Sequence, residues 1–461
     1  MDKHFPLEDQ IEMLASALRG RVVMPRHEDY DGLRTLALGN FDFRPAAIVR
    51  VANAADAAAV VNFARATDLP LSVRSGGHSI RGQGSNNGGL VIDVRDLNAI
   101  EIDPVGRTAW CGTGLTAGEV TAAVEKHGLI VGFGDSASVG ISGLTLGGGI
   151  GYLVRKHGLT IDSLLAAEIV TATGDILMVD ADHHPDLFWA LRGGGGNFGV
   201  LTRVKFRLHP LPAFTGGLLV LPPTPEVLAG FAAAAEAAPE ELSAIGLVMT
   251  APPVPFLPPE LHGKILFGAM MAYAGAPEAA QKALAPFRAL ATPIADLVRP
   301  APYTSLYMMD PPSDMRPAVS MRSRFLDRFG IEEAIAMLEA LERCDAPMKM
   351  GQIRVLGGAM SRVPADATAF GHRGAKNLVA FLSMYGGGPD VVMAQERWAE
   401  EALAAMKPGN AGAYVNFVSN EGQAGLSAAY PPATWDRLRR VKRQYDPENL
   451  FRLNQNVPPA A

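Results

Sequence analysis

Seven consecutive residues, Val73-Arg74-Ser75-Gly76-Gly77-His78-Ser79, put an imidazole beside two glycines and two hydroxyls. Glycine reaches backbone angles closed to other residues, so successive N–H groups can turn toward a single anion. Such a loop can cradle a phosphate group and hold His78 at a set distance from it. A longer run, 134–151, places glycine at Gly140, Gly143, Gly147, Gly148, Gly149 and Gly151. There the backbone can approach a flat ligand and offer N–H groups to its phosphates and ring edge. Val139, Ile141, Leu144 and Leu146 are spaced through the run and predict an ordered, half-buried wall.

A third glycine segment, Gly194-Gly195-Gly196-Asn197-Phe198-Gly199, matches G-x-G-x-x-G. The dinucleotide fingerprint needs a strand before it and a helix after. Here the helical stretch Pro185–Leu191 comes first and the strand Val200–Leu208 follows, so the Rossmann reading is rejected. His183-His184 lacks a third ligand at useful spacing, and no metal site is expected. The basic run Arg437–Arg443 reads as a solvated helix face.

The elements that must position these residues follow from periodicity. Asp9–Arg19, Ala54–Thr67, Pro225–Ala238, Pro277–Leu290, Gly330–Cys344, Val391–Met406 and Trp435–Tyr445 have helical spacing. Thr116 and Glu119 form a capping-box pattern for a helix ending near Gly128. Strands are expected at Pro45–Val51, Leu69–Val73, Gly88–Arg95, Thr108–Gly112 and Leu164–Thr173, the last carrying Ile169. Beyond Pro212 the candidates are Gly217–Leu221, Ala244–Thr250, Ile265–Ala274, Met348–Leu356 and Leu378–Tyr385. Strands and helices mixed in this order predict an antiparallel sheet covered by helices on one face.

A chain of 461 residues is long for one core, so two domains are expected. The net charge of −6 argues against nucleic-acid and anionic-membrane partners. Residues 1–20 lack the continuous apolar run of a signal peptide, and no window is long enough to span a bilayer. Cys111 and Cys344 stand far apart in unrelated contexts, so no disulfide framework is implied. A cytoplasmic protein is the expectation.

With the three glycine segments in their order, the sequence resembles the vanillyl-alcohol oxidase and p-cresol methylhydroxylase superfamily of FAD enzymes. It is most similar to the branch of berberine bridge enzyme and 6-hydroxy-D-nicotine oxidase. The similarity runs from about Phe41 to the C-terminus, weakest in the middle third, and includes Val441–Arg452 (V-K-R-Q-Y-D-P-E-N-L-F-R). It implies an α+β fold: a two-part FAD-binding domain of the p-cresol methylhydroxylase type over 1–211, and a substrate domain with a helix-covered antiparallel sheet over 212–410. Residues 411–461 would return to the first domain.

By the same resemblance, FAD is held by Arg74, Ser75, Gly76, Gly77, His78 and Ser79, with His78 bonded covalently to the flavin. The second segment would contribute Ser136, Val139, Gly140, Gly143, Gly147, Gly148, Gly149 and Gly151. Ile169, Gly199, Asn416 and Asn454 complete the set. Many relatives carry a cysteine, making a second flavin bond, where this chain has Ser136, so one covalent bond is implied. In plant members valine at the place of Val139 goes with oxidases, and leucine with dehydrogenases.

The resemblance implies hydride transfer from a C–H beside O or N of a small molecule, with reoxidation by O2. A dehydrogenase using another acceptor, or a flavoprotein that only binds its ligand, are the alternatives. Relatives often place tyrosines where this chain has Ile150 and Phe417. Tyr414 survives in the Y-x-N segment and is the expected catalytic base, unless it only packs in a strand. Tyr303, Tyr307 and Tyr385 are expected in the pocket and favour an aromatic or alkaloid-like substrate.

Overall fold

The apolar stretch ahead of Gly76 folds as the strand Leu71–Arg74, parallel to Leu90–Asp93, with Leu71 opposite Leu90 and Arg74 opposite Asp93. Ala47–Arg50 runs parallel on the far side of Leu90–Asp93, and Arg21–Val23 closes the sheet antiparallel. Parallel neighbours need a crossover. The helix Ala54–Thr67 carries the chain from Ala47–Arg50 over to Leu71–Arg74, on the other side of Leu90–Asp93, its first turn capped by Asn53 Oδ1 accepting from the Asp56 N–H at 2.9 Å. This computed structural model describes residues 5–211, 213–308, 316–406, 412–419 and 421–461.

A second, antiparallel sheet orders Ile100–Asp103, Thr108–Gly112, Val200–Arg207, Leu164–Val170 and Ile176–Asp180. Val170, Ala172 and Val200 join Val60, Val61 and Ala64 in one buried cluster, so the helix Ala54–Thr67 sits between the two sheets. The helix Ala117–Glu125 starts at the expected capping box, in which Thr116 and Glu119 bond reciprocally. Cys111 is buried in its strand, and burial pushes its thiol up to about 12.

The middle of the chain builds one large antiparallel sheet. Its order is Ala295–Asp296, Thr215–Leu221, Ile265–Tyr273, Leu242–Thr250, Met348–Val355, Asn377–Tyr385 and Ala318–Leu326, with Arg299–Pro300 also on Thr215–Leu221. Side chains alternate across a sheet. Ala244 and Val248 therefore face the helices Pro225–Ala237, Pro277–Arg288, Ile331–Glu342 and Pro389–Ala405 through one apolar core. Ile245 and Leu247 point the other way, onto Tyr152 and Tyr303. That second face roofs the first domain. From residue 413 onward the chain packs back onto the antiparallel sheet of the first domain, burying Val415, Leu438, Val441 and Val457. Residues 212, 410 and 411, where the domain boundaries are expected, lie outside the described residues. Among the described residues no helix is long and apolar enough to cross a membrane.

Three expectations change. Within the 134–151 run, Ile141–Leu146 forms a short helix rather than a loop, burying Ile141 and Leu146. The strand Ala318–Leu326 has no counterpart in the sequence reading, because Arg322 and Arg324 interrupt its apolar pattern. Arg322 pairs with Glu396 at 2.7 Å, and Arg324 reaches the carbonyls at the end of helix Pro389–Ala405. The basic run is only in part a solvated face: Arg440 and Arg443 are exposed, but Lys442 is fully buried against Asp446, and Arg437 lies over the Trp189 ring.

Candidate active site

Two loops meet at the C-terminal end of the parallel sheet. A Cβ on Gly76 would fall 2.5 Å from Gly140 N, and one on Gly140 would fall 2.1 Å from Ser75 Oγ. Only glycine at both positions permits this crossing. Gly77, at φ +74°, then turns the chain toward His78. Between the crossing and the roof of the large sheet lies a cleft of ≈ 300 Å³.

Arg74 and His78 give the cleft its chemistry. The Arg74 side chain is 2 % exposed and donates from Nη2 to Asp93 Oδ2 at 2.7 Å. Among the described residues its Nε and Nη1 have no hydrogen-bond partner, although both are buried. Burial opposes ionisation of Asp93, yet Arg95 and Arg74 outweigh it and hold the carboxyl below its usual range. The half-buried His78 has Nε2 at 2.9 Å from Ser138 Oγ, which stands 3.4 Å from Ser136 Oγ.

On the opposite wall, Tyr414 Oη accepts hydrogen bonds from Gly149 N and Asn416 Nδ2, each at 2.9 Å. Asn416 Nδ2 also donates to Leu144 O at 3.0 Å. A Cβ on Gly147 would collide with Asn416 Oδ1 at 2.0 Å, so the triple glycine and the Y-x-N segment are packed as one unit. Burial raises the Tyr414 pKa despite both donors, opposite to the fall that the expected base requires.

Arg74, Ser75, Gly76, Gly77, His78, Ser79, Val139, Gly140, Gly143, Gly199, Tyr414, Asn416 and Asn454 all line the cleft. Ser136, Gly147, Gly148, Gly149, Gly151 and Ile169 do not. Ser136 touches the hydroxyl that meets His78. Gly148 and Gly149 abut Phe370 and Thr160, and Gly151 abuts the Phe133 carbonyl. Ile169 is wholly buried behind Gly199, whose Cβ would meet it at 2.8 Å. The tyrosines expected in the pocket also lie elsewhere. Tyr303 is sealed in the core, Tyr307 bonds Thr121 Oγ1 at 2.6 Å, and Tyr385 bonds Ser320 Oγ at 2.7 Å.

Sequence reasoning missed Asp135 and Arg354, which meet across the cleft. Arg354 Nη2 donates to Asp135 Oδ2 at 2.5 Å, Nη1 to Ile150 O at 3.1 Å and Nε to Gln352 Oε1 at 2.7 Å. Its guanidinium stands 5.2 Å from the Phe417 ring centre. Gln352 and Arg354, two apart and both buried in the strand Met348–Val355, were the available signal: same-face polar residues need a polar destination.

The donor set fits an anionic dinucleotide: buried unpaired N–H groups on Arg74, a glycine crossing, and Gly195, Gly196 and Gly199 along one wall. The G-x-G-x-x-G segment has a helix before it and a strand after, as expected of a non-Rossmann site.

Comparison with known proteins agrees. The FAD binding domain model matches residues 45–180, and the berberine and berberine like model matches residues 413–458. The chain is 30% identical to (R)-6-hydroxynicotine oxidase of Paenarthrobacter nicotinovorans, across 96% of this chain and 97% of that protein. It is 32% identical to an uncharacterized FAD-linked oxidoreductase of Bacillus subtilis, across 97% and 98%. The crystal structure of 6-hydroxy-D-nicotine oxidase from Arthrobacter nicotinovorans superposes with a TM-score of 0.86 at 28% identity, covering 96% of this chain and 98% of that one. Glycine crossing, Y-x-N wall and full-length similarity together place this chain in the berberine bridge enzyme-like family of FAD-linked oxidoreductases.

Proposed function

We propose that this protein is an oxidase carrying FAD on a single covalent bond to His78, and that it oxidises a small amine or alcohol with an aromatic or alkaloid-like body. The observation that carries the reading is the glycine crossing beside Arg74, whose buried Nε and Nη1 await an anion. When bound, FAD supplies a hydride acceptor and returns two electrons to dioxygen as peroxide. Arg74 and the backbone of residues 75–79 would hold the phosphates, and Ser138 would fix the His78 ring. Ser136 cannot form a thioether, which supports attachment through one residue.

Leu144, Ile150 and Phe417 offer apolar surface at the other end of the cleft, and Asp135 and Arg354 offer polar contacts. That mixture suits a planar apolar molecule with one heteroatom better than a sugar. The named activity of the relative, oxidation of 6-hydroxynicotine, is of this kind.

A panel of 6-hydroxynicotine, benzylic alcohols and cyclic amines tests the reading. At least one member is expected to bleach the flavin without oxygen, and admitting air should restore the colour with peroxide release. Val139 lines the cleft, and Val139→Leu is expected to slow this reoxidation while leaving reduction nearly unchanged. Bleaching that persists in air would mean a dehydrogenase; no bleaching with any compound would mean a binding protein.

A further inference from the structure

Among the described residues the cleft wall carries five ionisable side chains: Arg74, His78, Asp135, Arg354 and Tyr414. Oxidation of an alcohol or amine requires a group that takes the heteroatom proton. The two arginines are cations and cannot. His78 is the proposed attachment point. Tyr414 is neutral through burial, and its oxygen already receives two N–H donors, so it has little capacity left to accept. Ile150 and Phe417 cannot titrate at all.

Asp135 is different. Its side chain is 15 % exposed, it lines the cleft, and only Oδ2 is engaged, by Arg354. Oδ1 has no hydrogen-bond partner among the described residues. The main chain is pinned as well, because Asp135 O accepts from Met308 N at 2.9 Å. A carboxylate with one oxygen clamped and the other turned to a cleft is the geometry of a positioned general base.

We infer that Asp135 is the catalytic base, accepting the substrate's O–H or N–H proton on Oδ1, and that Arg354 is the residue that positions it. The inference rests on the oxidase reading above. In the step, the C–H bond breaks and its hydrogen leaves with both electrons to the bound FAD. The heteroatom–H bond gives its proton to Asp135, and the electron pair left behind closes the C=O or C=N bond. The substrate loses two electrons and FAD gains two. Dioxygen then takes those electrons with the transferred hydrogen and the Asp135 proton, leaving peroxide and a carboxylate ready for the next turnover.

The groups facing Asp135 are Arg354 from the strand Met348–Val355, Tyr152 beyond the triple glycine, and Tyr303 and Tyr307 from the turn beside the roof. Burial raises all three hydroxyls, so they stay neutral; Glu125 acts on the same Tyr303 and Tyr307, and Arg354 is the cation paired with Asp135.

The test uses the holoenzyme and whichever compound of the panel bleaches the wild-type flavin fastest. Asp135→Asn is expected to slow anaerobic reduction by about 10²–10⁴-fold, the usual worth of a general base. Because Asp135→Asn leaves Arg354 buried and unpaired, Asp135→Asn/Arg354→Gln is the folding control. It should keep the flavin spectrum and be equally slow. Arg354→Gln alone should lower the limiting rate of reduction with substrate affinity nearly unchanged, and Arg354→Lys should regain part of that rate; a purely structural role would show no such rescue. Asp135→Glu should regain part of the rate, and Tyr414→Phe should stay within about tenfold of wild type, the worth of one hydrogen bond. Reduction of the Asp135→Asn flavin within tenfold of wild type, or an unchanged limiting rate in Arg354→Gln, overturns the inference with the oxidase reading intact. If nothing in the panel bleaches the wild-type protein, both fall.

Discussion

His78 is reached by a backbone that could not pass there with any side chain at Gly76 or Gly140. Its ring meets the hydroxyl of Ser138, on the loop that also carries Ser136. The covalent bond proposed at this residue makes a direct prediction. After acid precipitation, the wild-type pellet should be yellow and fluorescent, whereas His78→Ala should release all its flavin to the supernatant. Flavin in the wild-type supernatant would exclude the bond. Arg74 acts at the same scale in another way: its buried, unpaired N–H groups are costly without an anion.

At the scale of elements, the short helix Val154–His157 and the strand His209–Pro210 are joined by two stacked imidazoles with ring centres 4.0 Å apart. Ser163 Oγ stands 3.0 Å from His209 Nε2. Burial, aided by neighbouring cations, lowers His157 to about 3 and His209 to about 4. Unfolded histidine titrates near about 6.5, so the unfolded chain binds more protons in between. The pair's contribution is therefore fully present above about pH 6.5 and is lost as pH falls from there toward 4 and 3. Discounting for partial exposure, the pair together should account for about 2 kcal/mol of lost stability at pH 5. Thermal melts at pH 5 and 7.5 check this: the Tm gap should shrink in His157→Gln/His209→Gln. An unchanged gap would assign the acid sensitivity to other groups.

For the whole molecule, the C-terminal return completes the cleft. Phe451, Asn454 and Gln455 line it, and they are placed by a buried knot. Lys442 Nζ donates to Asp446 Oδ2 at 2.6 Å, Asn197 O at 2.7 Å and Phe451 O at 3.0 Å. Asp446 accepts in turn from the N–H groups of Leu450 and Phe451. Burial lowers the Lys442 pKa, but the Asp446 partner opposes that shift. Removing one partner of such a pair leaves an uncompensated charge. Asp446→Ala should therefore cost about 3–5 kcal/mol, read as a lower denaturant midpoint at unchanged slope. A loss under 1 kcal/mol, roughly that of an exposed pair, would show that the knot relaxes around solvent.

Much of this was written in the chain itself. The glycine segments, the capping box at Thr116 and most strands and helices depend on neighbours a few residues away, so their residue types declare them. The family resemblance likewise rests on contiguous motifs, and it named residues that line both walls of the cleft. What the sequence could not declare depends on which face of an element meets which partner. Asp135 and Arg354 are 219 positions apart and acquire meaning only because the large sheet roofs the glycine run. The strand Ala318–Leu326 hid behind arginines whose partners come from remote segments. Tyr303 and Tyr385 share composition with a binding pocket, yet the pleat turns Tyr385 into the core and a short helical turn buries Tyr303. Lys442 reads as one more surface cation until the chain folds back and buries it. Local propensity depends on a residue and its neighbours along the chain, whereas burial and pairing are decided only when the sheets close on one another.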